Sequence, residues 1–116
     1  MAVPKVKIVD KSINVDEMAD SARLASEFLK ALAHESRLLI LCLLTEGEKS
    51  VGELEELLSQ RQSTVSQQLA RLRLDGLVLA RREGKTIFYS LADEKVQIVL
   101  QALYKAFCAS RPTRRR

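Results

Sequence analysis

Tryptophan is absent from this chain of 116 residues, and Phe and Tyr together make up only 4% of it. A core built from it is therefore aliphatic, drawn from the Leu, Val, Ile and Ala that dominate its 47% hydrophobic content. Long apolar runs are missing as well. The longest, Leu38 to Leu44, falls far short of the roughly 18 residues that mark a membrane span. The N-terminal "MAVPKVKIVDKS" has no apolar block ahead of a small-residue cleavage site, which speaks against a secretory signal. Histidine occurs once and cysteine twice, a poor set for a zinc ion that takes four ligands. There is no Ser/His/Asp set, no pair of carboxylates in an apolar setting and no glycine-rich phosphate loop, so neither an enzyme nor a cofactor is expected. These absences point to a single cytoplasmic domain with no membrane partner, in a reducing compartment where Cys42 and Cys108 rest as free thiols. Small aliphatic cores of this kind often gain buried area by dimerising.

Charge is present but unevenly placed. The net charge is +4, and four arginines sit in the terminal "RPTRRR", so the rest of the chain is balanced. Inside it, Glu46 to Leu58 carries five acidic residues and one Lys, whereas Arg61 to Lys85 carries six basic residues against Asp75 and Glu83. The second stretch is a local basic surface of the kind that contacts nucleic acid.

Hydrophobic spacing divides the chain into an arm, a domain and a tail. Residues 1–13 have no helical period and read as a loose arm, residues 14–109 as the folded domain, and residues 110–116 as a basic tail. Asn14 and Glu17 form a capping-box pattern ahead of a first helix that is apolar on two faces, with Met18, Ala22, Ala25, Leu29 and Leu32 on one and Leu24, Phe28 and Ala31 on the other. "HESRLLILCLLTEG" predicts a second helix, closed by Gly47 and, being apolar all round, buried. "SVGELEELL" predicts a third, capped by Ser50, with Val51, Leu54, Leu57 and Leu58 inward and Glu53, Glu55 and Glu56 outward. "QSTVSQQLARLRLDG" predicts a fourth, with Val65, Leu69 and Leu72 inward and Gly76 closing it. "LVLARREGKTIFYSL" switches to period two, two strands around a turn at Glu83-Gly84. A last helix runs from Asp93 to about Cys108, with Val96, Val99, Leu100, Leu103 and Phe107 on one stripe and Ile98, Ala102 and Ala106 on another. The order α-α-α-α-β-β-α, mainly helical with a small basic hairpin, is that of a winged helix-turn-helix. The first and last helices have apolar surface to spare, which points to a homodimer through them.

The fourth helix opens on polar, uncharged side chains around one apolar Val. Gln62, Ser63, Thr64, Ser66 and Gln67 suit base edges in the major groove, Arg71 and Arg73 the phosphate backbone, and Arg81, Arg82 and Lys85 phosphate or minor-groove contacts from a wing. The competing reading is a solvated helix start with Ser63 as its cap. "FLKALAHESRLLILCLL", "STVSQQLARLRLDGLV" and "RREGKTIFYSL" resemble the ArsR/SmtB family of dimeric winged-helix repressors, over about Asp16 to Cys108. The resemblance implies binding to double-stranded operator DNA with an inverted repeat.

The chain departs from that family at both of its usual metal sites. Ser50 and Gly52 of "SVGEL" stand where the third helix of many relatives carries two cysteines. Lys95 of "DEKVQIVLQAL" stands where another site has a histidine, and His34 reads as a helix-start residue. The two thiols remain. As bare residues, Cys42 among leucines reads as small, shielded core filling and Cys108 as part-exposed at a helix end. Their places in the second and last helices resemble the BigR/SqrR-type dithiol subgroup of the family. That likeness implies a sensor of sulfide and reactive sulfur, in which a persulfide or other oxidant joins the two thiols into a disulfide or polysulfide and so lowers operator affinity. The alternatives are a repressor of this family with a metal or no inducer, and a protein-interaction module whose basic hairpin meets an acidic partner.

Overall fold

The computed structural model describes residues 3–4, 12, 14–59 and 61–109. The expected basic tail, residues 110–116, lies outside the described residues, as does the expected arm apart from Val3, Pro4 and Ser12. The chain divides between Ala31 and Leu32 into two units.

The first unit holds helix α1, Val15–Leu32, all but its last residue. Its capping box forms: the Glu17 amide donates to Asn14 Oδ1 (2.8 Å) and the Asn14 amide to Glu17 Oε1 (3.3 Å). Two of the amides that a helix start leaves without partners are thereby satisfied. Met18, Leu24 and Leu29 are exposed, whereas Phe28 is half-buried and Ala31 and Leu32 are buried, so in the single chain both expected apolar faces of α1 lie open except toward the helix's C-terminal end.

The second unit begins with α2, Glu35–Leu44, and a short strand β1, Lys49–Ser50. Helix α3, Val51–Leu58, and α4, Gln62–Leu74, follow. Strands β2, Val78–Glu83, and β3, Thr86–Leu91, precede α5, Glu94–Tyr104, and the chain continues into a π-helical turn, Lys105–Ala109. The strands form one antiparallel sheet in the order β1-β3-β2. This is the expected winged helix-turn-helix, with one strand more than the sequence pattern gave. Strand β1 is only two residues long, pairing Lys49 with Tyr89 and Ser50 with Phe88, too short to show a period. Among the described residues, no helix is long and apolar enough to cross a membrane.

The core is aliphatic as expected. Ile40, Leu41 and Leu44 of α2, Leu54 of α3, Val65, Leu69 and Leu72 of α4, Val78 of β2 and Val96 and Leu100 of α5 are all buried. The end of α4 was legible in the sequence. The Leu77 amide reaches back to the Leu72 carbonyl (2.9 Å) and the Gly76 amide to that of Arg73 (3.0 Å). Gly76 takes φ +78 to allow it. This is a Schellman ending, sealed by the buried pair Leu72 and Leu77.

Several local expectations need correction. Helix α2 is buried on one side only; Leu39 and Cys42 face outward, because a helix at the edge of a small unit has the core on one flank. It ends at Leu44 with Thr45 as C-cap, two residues before Gly47. On α3, Leu57 is exposed and Glu55 half-buried, since eight residues turn only one narrow stripe inward. Helix α4 starts at Gln62 with Arg61 as N-cap and no side-chain cap bond, so Ser63 is not the cap. The hairpin turn is Gly84-Lys85 rather than Glu83-Gly84, because Glu83 still pairs with Thr86. Gly84, at φ +64, takes the turn position that a side chain disfavours. Finally, Phe107 is exposed: the wider π turn breaks the 3.6-residue period that would have carried it onto the buried stripe.

Candidate functional site

Two constellations stand out, a polar-basic surface on α4 and the hairpin, and a pair of thiols on α2 and in the turn after α5, whose helices flank one groove. On α4, the stripe Val65, Leu69 and Leu72 is inward and fixes the opposite face outward. Gln62, Ser63, Ser66 and Gln67 are exposed and Thr64 is half-buried. Together they line the outer side of the helix's first turns, as the spacing predicted. Arg71 and Arg73 follow on the exposed side, with Arg71 Nε 3.3 Å from Asp75 Oδ2. Among the described residues, Arg73, Arg82 and Lys85 have no carboxylate within ion-pair distance.

Three polar partnerships escaped the sequence reading. Gln68, on α4, accepts a hydrogen bond from Arg37 Nε on α2 (3.2 Å), tying the two helices. Lys49 Nζ lies 3.3 Å from Glu46 Oε1. Arg81 is not at the hairpin tip: it sits opposite Phe88 in the sheet and is held by Glu48, with Nε to Oε2 at 2.9 Å and Nη2 to Oε1 at 2.7 Å. These hydrogen bonds, with Arg81's charge, hold the Glu48 carboxyl below the usual carboxylate range. The only signal in the sequence was a net-acidic stretch preceding a net-basic one, which names no pairs.

Cys42 lies on α2 and Cys108 in the π turn after α5, and both are free and exposed. The expectation that Cys42 is the shielded member is thus not met in the single chain. The thiols are nevertheless near enough for the charge of one to act on the other. Partial desolvation pushes the Cys42 thiol above its usual pKa, and the charge of nearby Cys108 adds to the rise. A thiol that is partly desolvated and feels a second negative charge can be solvent-accessible and still resist ionisation. Beside Cys42 runs an open groove of 930 Å³, with Thr45, Glu46, Gln101, Tyr104 and Lys105 also on its walls. A small sulfur-bearing molecule has room there. Among the described residues, no three His, Cys, Asp or Glu side chains come together in a group that could hold a metal ion. His34 is the N-cap residue of α2 and makes no side-chain cap bond.

The perturbed thiol gives one direct expectation. Alkylation of Cys42 by iodoacetamide, followed by peptide mass spectrometry across pH, will be half-maximal above the pH typical of a free cysteine. In Cys108→Ser the midpoint will fall, because the neighbouring negative charge is gone, but it will stay above the ordinary value because desolvation remains. A midpoint that does not move would mean the sulfurs do not interact.

Residues 34–79 match the sequence pattern of a family described as bacterial regulatory proteins of the arsR family. The biofilm growth-associated repressor of Agrobacterium fabrum is 56% identical over 81 residues, which cover 70% of this chain and 69% of that protein. The transcriptional activator HlyU of Vibrio cholerae is 45% identical over 96 residues, covering 83% and 89%. The structure of its reduced form superposes with a TM-score of 0.76 over 81% of this chain and 99% of that one. The transcriptional repressor BigR of Xylella fastidiosa also superposes with a TM-score of 0.76, at 42% identity, over 87% of this chain and all of its own.

Proposed function

The chain belongs to the arsR family of bacterial regulatory proteins, and from that premise we propose that it is a homodimeric repressor whose grip on its operator is switched by the pair Cys42 and Cys108. Transcriptional regulation follows from the family. The switch rests chiefly on one observation: Cys108 lies near enough to Cys42 for its charge to raise the Cys42 pKa, although the two are far apart in sequence. A structure of reduced HlyU from V. cholerae supports it, since that relative has a defined reduced form. The A. fabrum relative is named a repressor and HlyU an activator; the repressor reading follows the one with the higher identity.

In this account Gln62, Ser63, Thr64, Ser66 and Gln67 meet base edges, and Arg71, Arg73, Arg82 and Lys85 meet phosphates. Two copies pair through the open apolar faces of α1 and α5, where Leu24, Leu29, Ile98 and Tyr104 are exposed in the single chain. The recognition helices then sit at half-sites about 34–36 Å apart on an inverted repeat.

The chemistry uses a persulfide as the oxidant. The Cys108 thiolate attacks the outer sulfur of RS–SH and takes it up as Cys108–S–SH, and RS⁻ leaves as a thiol once protonated. The Cys42 thiolate then attacks the Cys108 sulfur, forming the disulfide and expelling hydrosulfide. Two protein thiols and one persulfide thus yield one disulfide, one thiol and one hydrogen sulfide. Cys42 serves as the second nucleophile because its raised pKa keeps it protonated longer. A bridge from α2 to the end of α5 ties an element that packs on the recognition helix to a helix of the proposed interface and changes the spacing of the two recognition helices.

A gel shift tests this reading, using a duplex that the reduced protein selects from a random-sequence pool. Glutathione persulfide will release the unmodified protein, whereas Cys42→Ser and Cys108→Ser will bind when reduced and stay bound when treated. Release of both variants on treatment would refute the thiol switch while leaving DNA binding intact.

A further inference from the structure

Arg81 is one of three basic residues in the wing, and the obvious role for it is a phosphate contact. Its surroundings argue otherwise. The guanidinium presents a two-pronged fork to both carboxylate oxygens of Glu48, at 2.9 and 2.7 Å. Its carbon lies 5.0 Å from the centroid of the Phe88 ring, within cation–π range. A third carboxylate oxygen, Glu83 Oε1, is 3.7 Å from Nη1.

The backbone explains the geometry. Phe88 is the cross-strand partner of Arg81 on one side and of Ser50 on the other. The Arg81 side chain therefore crosses β3 over its aromatic residue and ends at Glu48, directly before β1. That strand contributes only two residues to the sheet and runs straight into α3, so the ladder alone ties the hairpin to the helix-turn-helix weakly. Exposed ion pairs contribute little in general, but a bidentate Arg–carboxylate pair fixed by stacking is the geometry in which they do.

We infer that Glu48 is a positioning residue for DNA binding: its fork with Arg81 holds the wing in place against the helix-turn-helix, so that Arg82 and Lys85 are the wing cations that meet the duplex. The inference rests on the DNA-binding reading above. It carries an unusual consequence, that an acidic residue beside a polyanion strengthens the complex.

The test uses the full reduced chain, the selected duplex, and the variants Glu48→Gln, Arg81→Lys and Glu83→Gln. Glu48→Gln is expected to weaken binding about two- to five-fold, with the dependence of affinity on salt unchanged. Arg81→Lys, which keeps the charge but loses the fork, should do the same. Glu83→Gln makes the same charge change as Glu48→Gln and should leave affinity unchanged or raise it. In the free protein, hydrogen exchange of the amides between Val78 and Leu91 should quicken in Glu48→Gln while those of α4 and the thermal midpoint hold. Tighter binding by Glu48→Gln with a steeper salt dependence would overturn the inference, since Arg81 would then be a phosphate contact that Glu48 withholds. Unchanged hairpin exchange would overturn it too, and that readout needs no DNA. A protein that selects no duplex at all would instead refute the DNA-binding reading.

Discussion

Raising salt from about 50 to about 200 mM will weaken binding of the reduced protein to its selected duplex by about 10³–10⁵-fold. Each subunit offers Arg71, Arg73, Arg82 and Lys85 on the exposed side of α4 and on the wing, and a dimer doubles the set. Every phosphate neutralised frees condensed counterions, so affinity falls steeply as bulk salt rises, with a log–log slope close to −0.9 per contact on duplex DNA. Arg81 is left out of the count because Glu48 holds it in a two-pronged fork, whereas Arg71 meets Asp75 through Nε alone. The slope is measured by fluorescence anisotropy across a salt series. A slope near zero would remove phosphate contacts from the account and favour a protein partner for the basic hairpin.

Truncating one core leucine will have the largest effect on the fold. Leu69→Ala should cost about 2–5 kcal/mol, a large share of the roughly 5–15 kcal/mol by which a domain of this kind is stable. Leu69 has no exposed surface and sits on α4 between the equally buried Val65 and Leu72. An all-aliphatic core has no large aromatic ring to slide into the void, so the cavity persists and adds its own penalty. The internal control is on the same helix: Leu74 is 79% exposed, and Leu74→Ala should change stability by no more than about 0.5 kcal/mol. Urea denaturation of the two variants beside the unmodified protein gives the comparison. Equal losses would mean that α4 does not seat its Val65-Leu69-Leu72 stripe in the core.

What could be read from the sequence was local. The Asn14–Glu17 box lies within one turn, the Leu72-Gly76-Leu77 ending within six residues, and the Val65-Leu69-Leu72 stripe within one helix. In each, residue type and spacing specify the hydrogen bonds or the buried face. What escaped depends on partners distant in the chain. β1 exists only because Phe88 and Tyr89 present an edge to Lys49 and Ser50, and Arg81 and Glu48 are 33 residues apart. The π turn at Lys105–Ala109 shifts Phe107 out of a period that otherwise runs unbroken through the helix. Cys42 shows the same limit in another form. Its leucine neighbours gave the polarity of the helix correctly, but which flank of an all-apolar helix faces the core is decided by tertiary packing. Cys42 and Cys108 are 66 positions apart in the chain, and only the resemblance of their positions to a dithiol subgroup suggests from sequence that they act as a pair.

The thiol account turns on whether a bridged protein lets go of DNA. Operator affinity and intact mass should be measured on one preparation, reduced, then titrated with glutathione persulfide, then reduced again. The account predicts that loss of affinity follows the fraction of chains bridged between Cys42 and Cys108, and that reduction restores both together. Fully bridged protein that binds the duplex as tightly as the reduced form would contradict it.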